Sequence, residues 1–100
     1  MAVVLFAPEA LRDLREIKAY IAERNPVAAA RIIADCERTA NLLASSPELG
    51  RSRDDLVPGL RSIVGAAPYV LFYRYRKGDE LVEVARVLHG HRDIGSELGY

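Results

Sequence analysis

Only one cysteine, Cys36, stands in the 100 residues. No disulfide can form within the chain, and a lone thiol fits a reducing compartment. Charge of either sign is not in excess, because 14 Lys and Arg balance 14 Asp and Glu. Proteins that grip bare nucleic acid are usually basic, so direct binding to free DNA or RNA is not expected. No apolar run approaches the roughly 20 residues of a membrane span. No charged start followed by a long apolar stretch marks a signal peptide. A cytoplasmic protein with no membrane partner is expected. Histidine is equally scarce, with 2 residues, His89 and His91. They lie two apart and could face one way on a strand, but a zinc site needs a third protein ligand. Cys36, which falls in an apolar helical stripe, is a poor one, so no metal is expected. Gly-rich dinucleotide loops, Walker loops and Ser-His-Asp signatures are absent, and no cofactor is expected.

What remains is an ordinary globular composition, 50% hydrophobic and 28% charged, of a length that makes one domain over residues 1–100. Residues 2–6 form a short apolar run that reads as a strand. Pro8 then opens a helix at the position that can spare its N–H, with Glu9 in the first turn. Ala10, Leu14, Ile17 and Ile21 recur at helical spacing, and Arg12, Asp13, Arg15, Glu16 and Lys18 fill the other side. Asn25-Pro26 ends this helix near Arg24 and starts a second one, with Asn25 as cap. The second helix runs to about Ala44 and buries Ala29, Ile32, Ile33, Cys36, Ala40 and Leu43. So short a connection makes an antiparallel hairpin. Residues 45–59 read as a loop pinned by Leu49, Leu56 and Val57.

Three strands follow. Residues 60–64 form the first. Residues 69–76, rich in aromatic and branched side chains, form the second, and residues 81–88 the third. Lys77-Gly78-Asp79 joins the last two, with Gly78 expected at positive φ. Strict alternation puts Leu71, Tyr73 and Tyr75 on one face and Val70, Phe72, Arg74 and Arg76 on the other. It groups Val82, Val84, Arg86 and Leu88 against Leu81, Glu83, Ala85 and Val87. The fold class is α+β, a helical hairpin packed on an antiparallel sheet in the order β-α-α-β-β-β. The partner of the first strand stays open. The core should hold Leu14, Ile17, Ile21, Ile32, Ile33, Cys36, Leu43, Val70, Phe72, Val82 and Val84. The sheet face away from the helices keeps enough apolar surface to invite a partner.

Arg61, Arg74, Arg76, Arg86 and Arg92 gather on or beside the strands, near His89, His91, Tyr73 and Tyr75. Such groups could hold a phosphate and move protons in RNA cleavage by a 2′-OH. They could equally be solvated charges at a sheet edge and stacked tyrosines.

Four stretches, in order, are similar to one family: PEALRDLREIKAYIAERNPVAAARI, SSPELGRSRDDLVPGLRS, PYVLFYRY and VEVARVLHGHRD. Together they resemble toxins of the RelE/ParE superfamily, and within it the ParE branch. The resemblance implies the toxin of a type II toxin–antitoxin pair, neutralised by a cognate ParD-type antitoxin. ParE members inhibit DNA gyrase without chemistry of their own, whereas RelE members cut mRNA on the ribosome. Arg61 and Arg92 match basic positions of the nuclease pattern. Val70 stands where that pattern has an Arg, Ile63 near a Lys, and Leu98 about where a late Tyr falls. These departures favour the gyrase inhibitor over the endonuclease, so catalytic residues are not expected. The gyrase-facing surface is expected on the last strand and its polar end, at Arg86, His89, His91, Arg92 and Asp93, with Tyr73 and Arg74 beside them.

Overall fold

The structure is a computed structural model and describes residues 1–90 and 97–98. Strand β1 (Val3–Phe6) leads through Ala7 into helix α1 (Pro8–Ala22), whose first position is Pro8 and whose first turn carries Glu9, as the sequence predicts. Helix α2 (Pro26–Leu42) is capped by Asn25, whose Oδ1 accepts from the Ala28 N–H at 3.0 Å. That bond satisfies one of the donors a helix start leaves unpaired. Strands β2 (Arg51–Ser52), β3 (Leu60–Ala66), β4 (Tyr69–Arg76) and β5 (Leu81–His89) follow. The 2-residue β2 lies inside the stretch expected to be all loop.

The five strands form one sheet in the order β1-β5-β4-β3-β2. From β3 to β5 neighbours run antiparallel, as expected, and the short β2 adds to β3 in the same sense. The first strand, however, pairs parallel with the last, Val3 opposite Leu81 and Phe6 opposite Val84, so the sheet is mixed. Parallel neighbours require a long crossover, and here residues 7–80 lie between them.

The helical hairpin covers one face of the sheet. Ala10 and Leu14 of α1, with Cys36, Ala40 and Leu43 near it in α2 and beyond, meet Leu71, Tyr73, Val82, Val84 and Val87 in the main core. Ile17, Ile32 and Ile33 are partly buried against this cluster, and Ile21 is equally half-buried but outside it. The two layers come close where Gly65 lies, since a Cβ there would stand 3.0 Å from Cys36 Sγ. On the opposite face Leu60, Phe72 and Leu88 form a second cluster, with Leu56, Val57, Val70 and Leu98 packed on it. The loop after β2 thus covers part of the face that was expected to stand open, and Val64 remains exposed on β3.

Two local expectations give way. The alternation along β5 breaks at Ala85, because Phe72 pairs with Arg86 while Tyr73 pairs with Val84. One residue is left over, a β-bulge. The side-chain parity reverses there, so Val82, Val84 and Val87 all face the helices and Leu88 faces away. In the β4–β5 connection, Lys77–Asp79 makes one 3₁₀ turn, and the left-handed residue is Glu80 at φ 47°, not Gly78.

Candidate functional site

Tyr73 projects from β4 into the main core and is 0% exposed. Its hydroxyl oxygen accepts from the Gly50 N–H at 2.8 Å, and burial pushes its pKa up. It was expected on the target-facing surface, but no partner can reach it while the sheet is intact. The hydroxyl instead ties the strand to the chain between α2 and β2. Arg61 of β3 holds the same segment from outside. Its Nη1 donates to the carbonyls of Gly50 (2.8 Å) and Glu48 (3.3 Å), and its Nη2 to the Glu48 carboxylate at 3.4 Å.

Arg86 and Asp13 form a two-point ion pair between the layers. Arg86 Nε donates to Asp13 Oδ2 at 2.7 Å and Nη2 to Oδ1 at 2.9 Å, a forked pairing. Asp13 Oδ2 also accepts from the Val87 N–H at 2.9 Å. The reason lies in the sheet. Strand β1 ends at Phe6, opposite Val84, so among the described residues β5 beyond that point has no strand on its outer side. A buried backbone N–H needs an acceptor, and the α1 carboxylate supplies it. Arg86 reaches on to the Glu97 carbonyl, 2.7 Å from Nη1, and lies 3.7 Å from its carboxylate. The hydrogen bonds to Asp13 push the Arg86 pKa up, against the opposing effect of burial.

Asp13 was expected on the solvent side of α1, yet only 8% of it is exposed. The spacing carried a signal. Residue 13 lies three after Ala10 and four before Ile17, inside the apolar stripe, and a carboxylate in that position needs a cationic partner.

Arg74 is exposed and faces Glu83 across the β4–β5 pair. It shares a shallow hollow with Arg86, Glu9, Leu60 and Leu98. His89, at the end of β5, is half-buried, its ring edge-on to Tyr69 with centroids 5.7 Å apart. Together with Tyr69, Glu16, Ile17 and Tyr20 it lines a cavity of about 420 Å³ between α1 and β5. The structure therefore brings Arg74 and Arg86 to one hollow and sets His89 beside a neighbouring one. His91, Arg92 and Asp93 lie outside the described residues. Among the described residues no three metal-ligand side chains converge, and no helix is long and apolar enough to cross a membrane.

Chemically, most of this constellation is committed. Arg61 and Arg86 spend their donors on carbonyls and carboxylates of the chain itself. Arg74 faces outward, beside a small apolar cluster, and Arg76 is exposed as well.

Residues 4–94 match the family described as the ParE toxin of the type II toxin–antitoxin system parDE. Toxin RelE2 of Caulobacter vibrioides is 38% identical over 92 residues, 92% of this chain and 99% of that one. Toxin ParE1 of Mycobacterium tuberculosis is 32% identical over 95 residues, 94% of this chain and 95% of that one. A chain of the chromosomal ParDE system of P. aeruginosa superposes with a TM-score of 0.76 at 20% identity, over 89% of this chain and 96% of that one. A chain of the RelBE2 toxin–antitoxin complex of M. tuberculosis gives 0.68 at 26% identity, over 88% and 96%. The relatives carry both the ParE and the RelE name.

Proposed function

The chain belongs to the ParE toxin family of type II toxin–antitoxin systems, and on that premise we propose that it arrests growth by binding DNA gyrase. Arg61 is the observation that carries this choice over RNA cleavage. It is the one described residue that matched a basic position of the nuclease pattern, and its Nη donors are held by Glu48 and Gly50. Ile63 and Val70, at the other two positions, are partly buried in the two apolar clusters on opposite sheet faces. A nuclease needs arginines and a proton carrier aimed at one phosphate, and these side chains point elsewhere.

The toxin would act by binding one state of gyrase more tightly than the others, which is the only way a ligand can hold such a state. Its contact surface is β5 with Arg74 opposite Glu83 and His89 at the strand's end, and the sequence adds His91, Arg92 and Asp93 as candidates. A ParD-type antitoxin would neutralise it. An amphipathic helix suits the exposed Leu11 and Tyr20 of α1 and Val27 and Leu42 of α2, and an extended segment suits the outer edge of β1 with Val3 and Leu5.

The test incubates the pure protein with gyrase and relaxed plasmid, and separately with programmed ribosomes. Loss of supercoiling with intact mRNA is expected. Cleaved ribosome-bound mRNA with untouched gyrase activity overturns the reading. For the surface, a triple His89→Ala, His91→Ala, Arg92→Ala variant should fold, bind antitoxin and lose toxicity, and a fully toxic variant excludes it.

A further inference from the structure

Arg86 touches three parts of the molecule at once: its own strand, α1 through Asp13, and the chain beyond β5 through the Glu97 carbonyl. Leu98, the next residue, packs on Leu60, Phe72 and Leu88. Glu97 and Leu98 are thus brought back onto the sheet by one forked cation and one apolar foot. The cation itself is fixed from the far side by a carboxylate that is only 9% exposed.

We propose that the Asp13–Arg86 pair is a positioning latch, which seats Glu97 and Leu98 on the sheet around the hollow they share with Arg74 and so sets that part of the surface with which the toxin meets its target. The pair's effect on the position of Glu97 and Leu98 follows from the contacts alone, while its effect on toxicity rests on the gyrase reading above. Two features set it apart from a simple packing contact. Asp13 satisfies both the guanidinium fork and the Val87 N–H, so it fixes the height of Arg86 above β5. Arg86 then presents Nη1 in a direction that only a planar, five-donor group can combine with the fork. Lysine in its place would keep the charge and lose the geometry.

The latch is tested on the full-length chain with Arg86→Lys, Asp13→Asn and, as a variant that leaves the ion pair alone, Leu98→Ala. Amide hydrogen exchange at residues 97 and 98 is read together with antitoxin affinity, growth arrest and inhibition of supercoiling. In all three variants exchange at 97 and 98 should rise at least tenfold and growth arrest should weaken, while antitoxin affinity stays within threefold. Arg86→Lys combined with Leu98→Ala should add little to either one. Unchanged exchange in Arg86→Lys and Leu98→Ala overturns the latch, whatever Asp13→Asn does to folding. Faster exchange with undiminished growth arrest overturns its link to toxicity. If the wild type leaves gyrase untouched, the gyrase reading fails, and exchange with growth arrest still decides the latch.

Discussion

Replacing Tyr73 by Phe removes one oxygen atom and nothing else from the main core. The ring keeps its contacts, so the apolar burial is unchanged. What is lost is the acceptor for the Gly50 N–H, a 2.8 Å bond between two buried residues. Leaving a buried donor unsatisfied costs about 1–3 kcal/mol. In a domain of this size each kcal/mol lowers the thermal midpoint by about 4–8 °C. Urea denaturation followed by circular dichroism should show an earlier midpoint with an unchanged slope, the sign of lost stability without a change in the unfolded state. Gly50→Ala attacks the same contact from the other partner. Its Cβ would stand 2.7 Å from the Tyr73 hydroxyl and 2.8 Å from the Ser62 carbonyl, so one of them must move. The two substitutions share a partner, and their combined cost should fall short of the sum. A Tyr73→Phe variant within about 0.5 kcal/mol of wild type, below the range for an orphaned donor, refutes the reasoning. So does strict additivity.

Three further outcomes are expected. Asn25→Ala deletes the cap on α2 and should cost about 1 kcal/mol, with antitoxin binding intact. Gly65→Ala forces a methyl to 3.0 Å from Cys36 Sγ and 3.3 Å from Leu71, and overpacking of this kind costs about 1–3 kcal/mol, measurable in the same denaturation assay. Burial pushes the Cys36 thiol from 9.0 to about 11, with Asp35 and Glu37 adding to it. The unfolded chain therefore releases this proton first, and stability held below pH 9.0 is lost as pH rises toward about 11. Cys36→Ala should lack that part of the decline, and a thiol reagent should label Cys36 only on unfolding.

The helices and the meander were legible because their signals are local. Pro8, Asn25 and Pro26 mark boundaries through the φ angles and donors of single residues, and the stripes of α1 and α2 follow from spacing alone. The parallel β1–β5 pairing was not legible, since β1 offers only a four-residue apolar run and any strand could accept it. The reversal at Ala85 also escaped, because a bulge is set by the neighbouring strand's register and leaves no mark in a run of Val, Ala and Leu. For the site, residue type alone misjudged Tyr73. Tyrosine has an apolar ring and a polar tip, and only the fold decides which end is served. Asp13 was read by its charge, when its place in the stripe pointed inward to Arg86.

The pairing of β1 with β5 has a kinetic side. Val4 and Phe6 meet Val82 and Val84 across nearly the whole chain, and closing a loop of that length costs about 4 kcal/mol of chain entropy in its length-dependent part. Local contacts come first in such a topology, so the helical hairpin and the meander form early and β1 is among the last elements to be placed. Until β5 has been made, residues 3–6 lack the strand they pair with and the main core lacks one wall. During synthesis the nascent chain is therefore a set of parts. The β1 edge, with Val3 and Leu5 exposed along it, exists only once that long loop has closed.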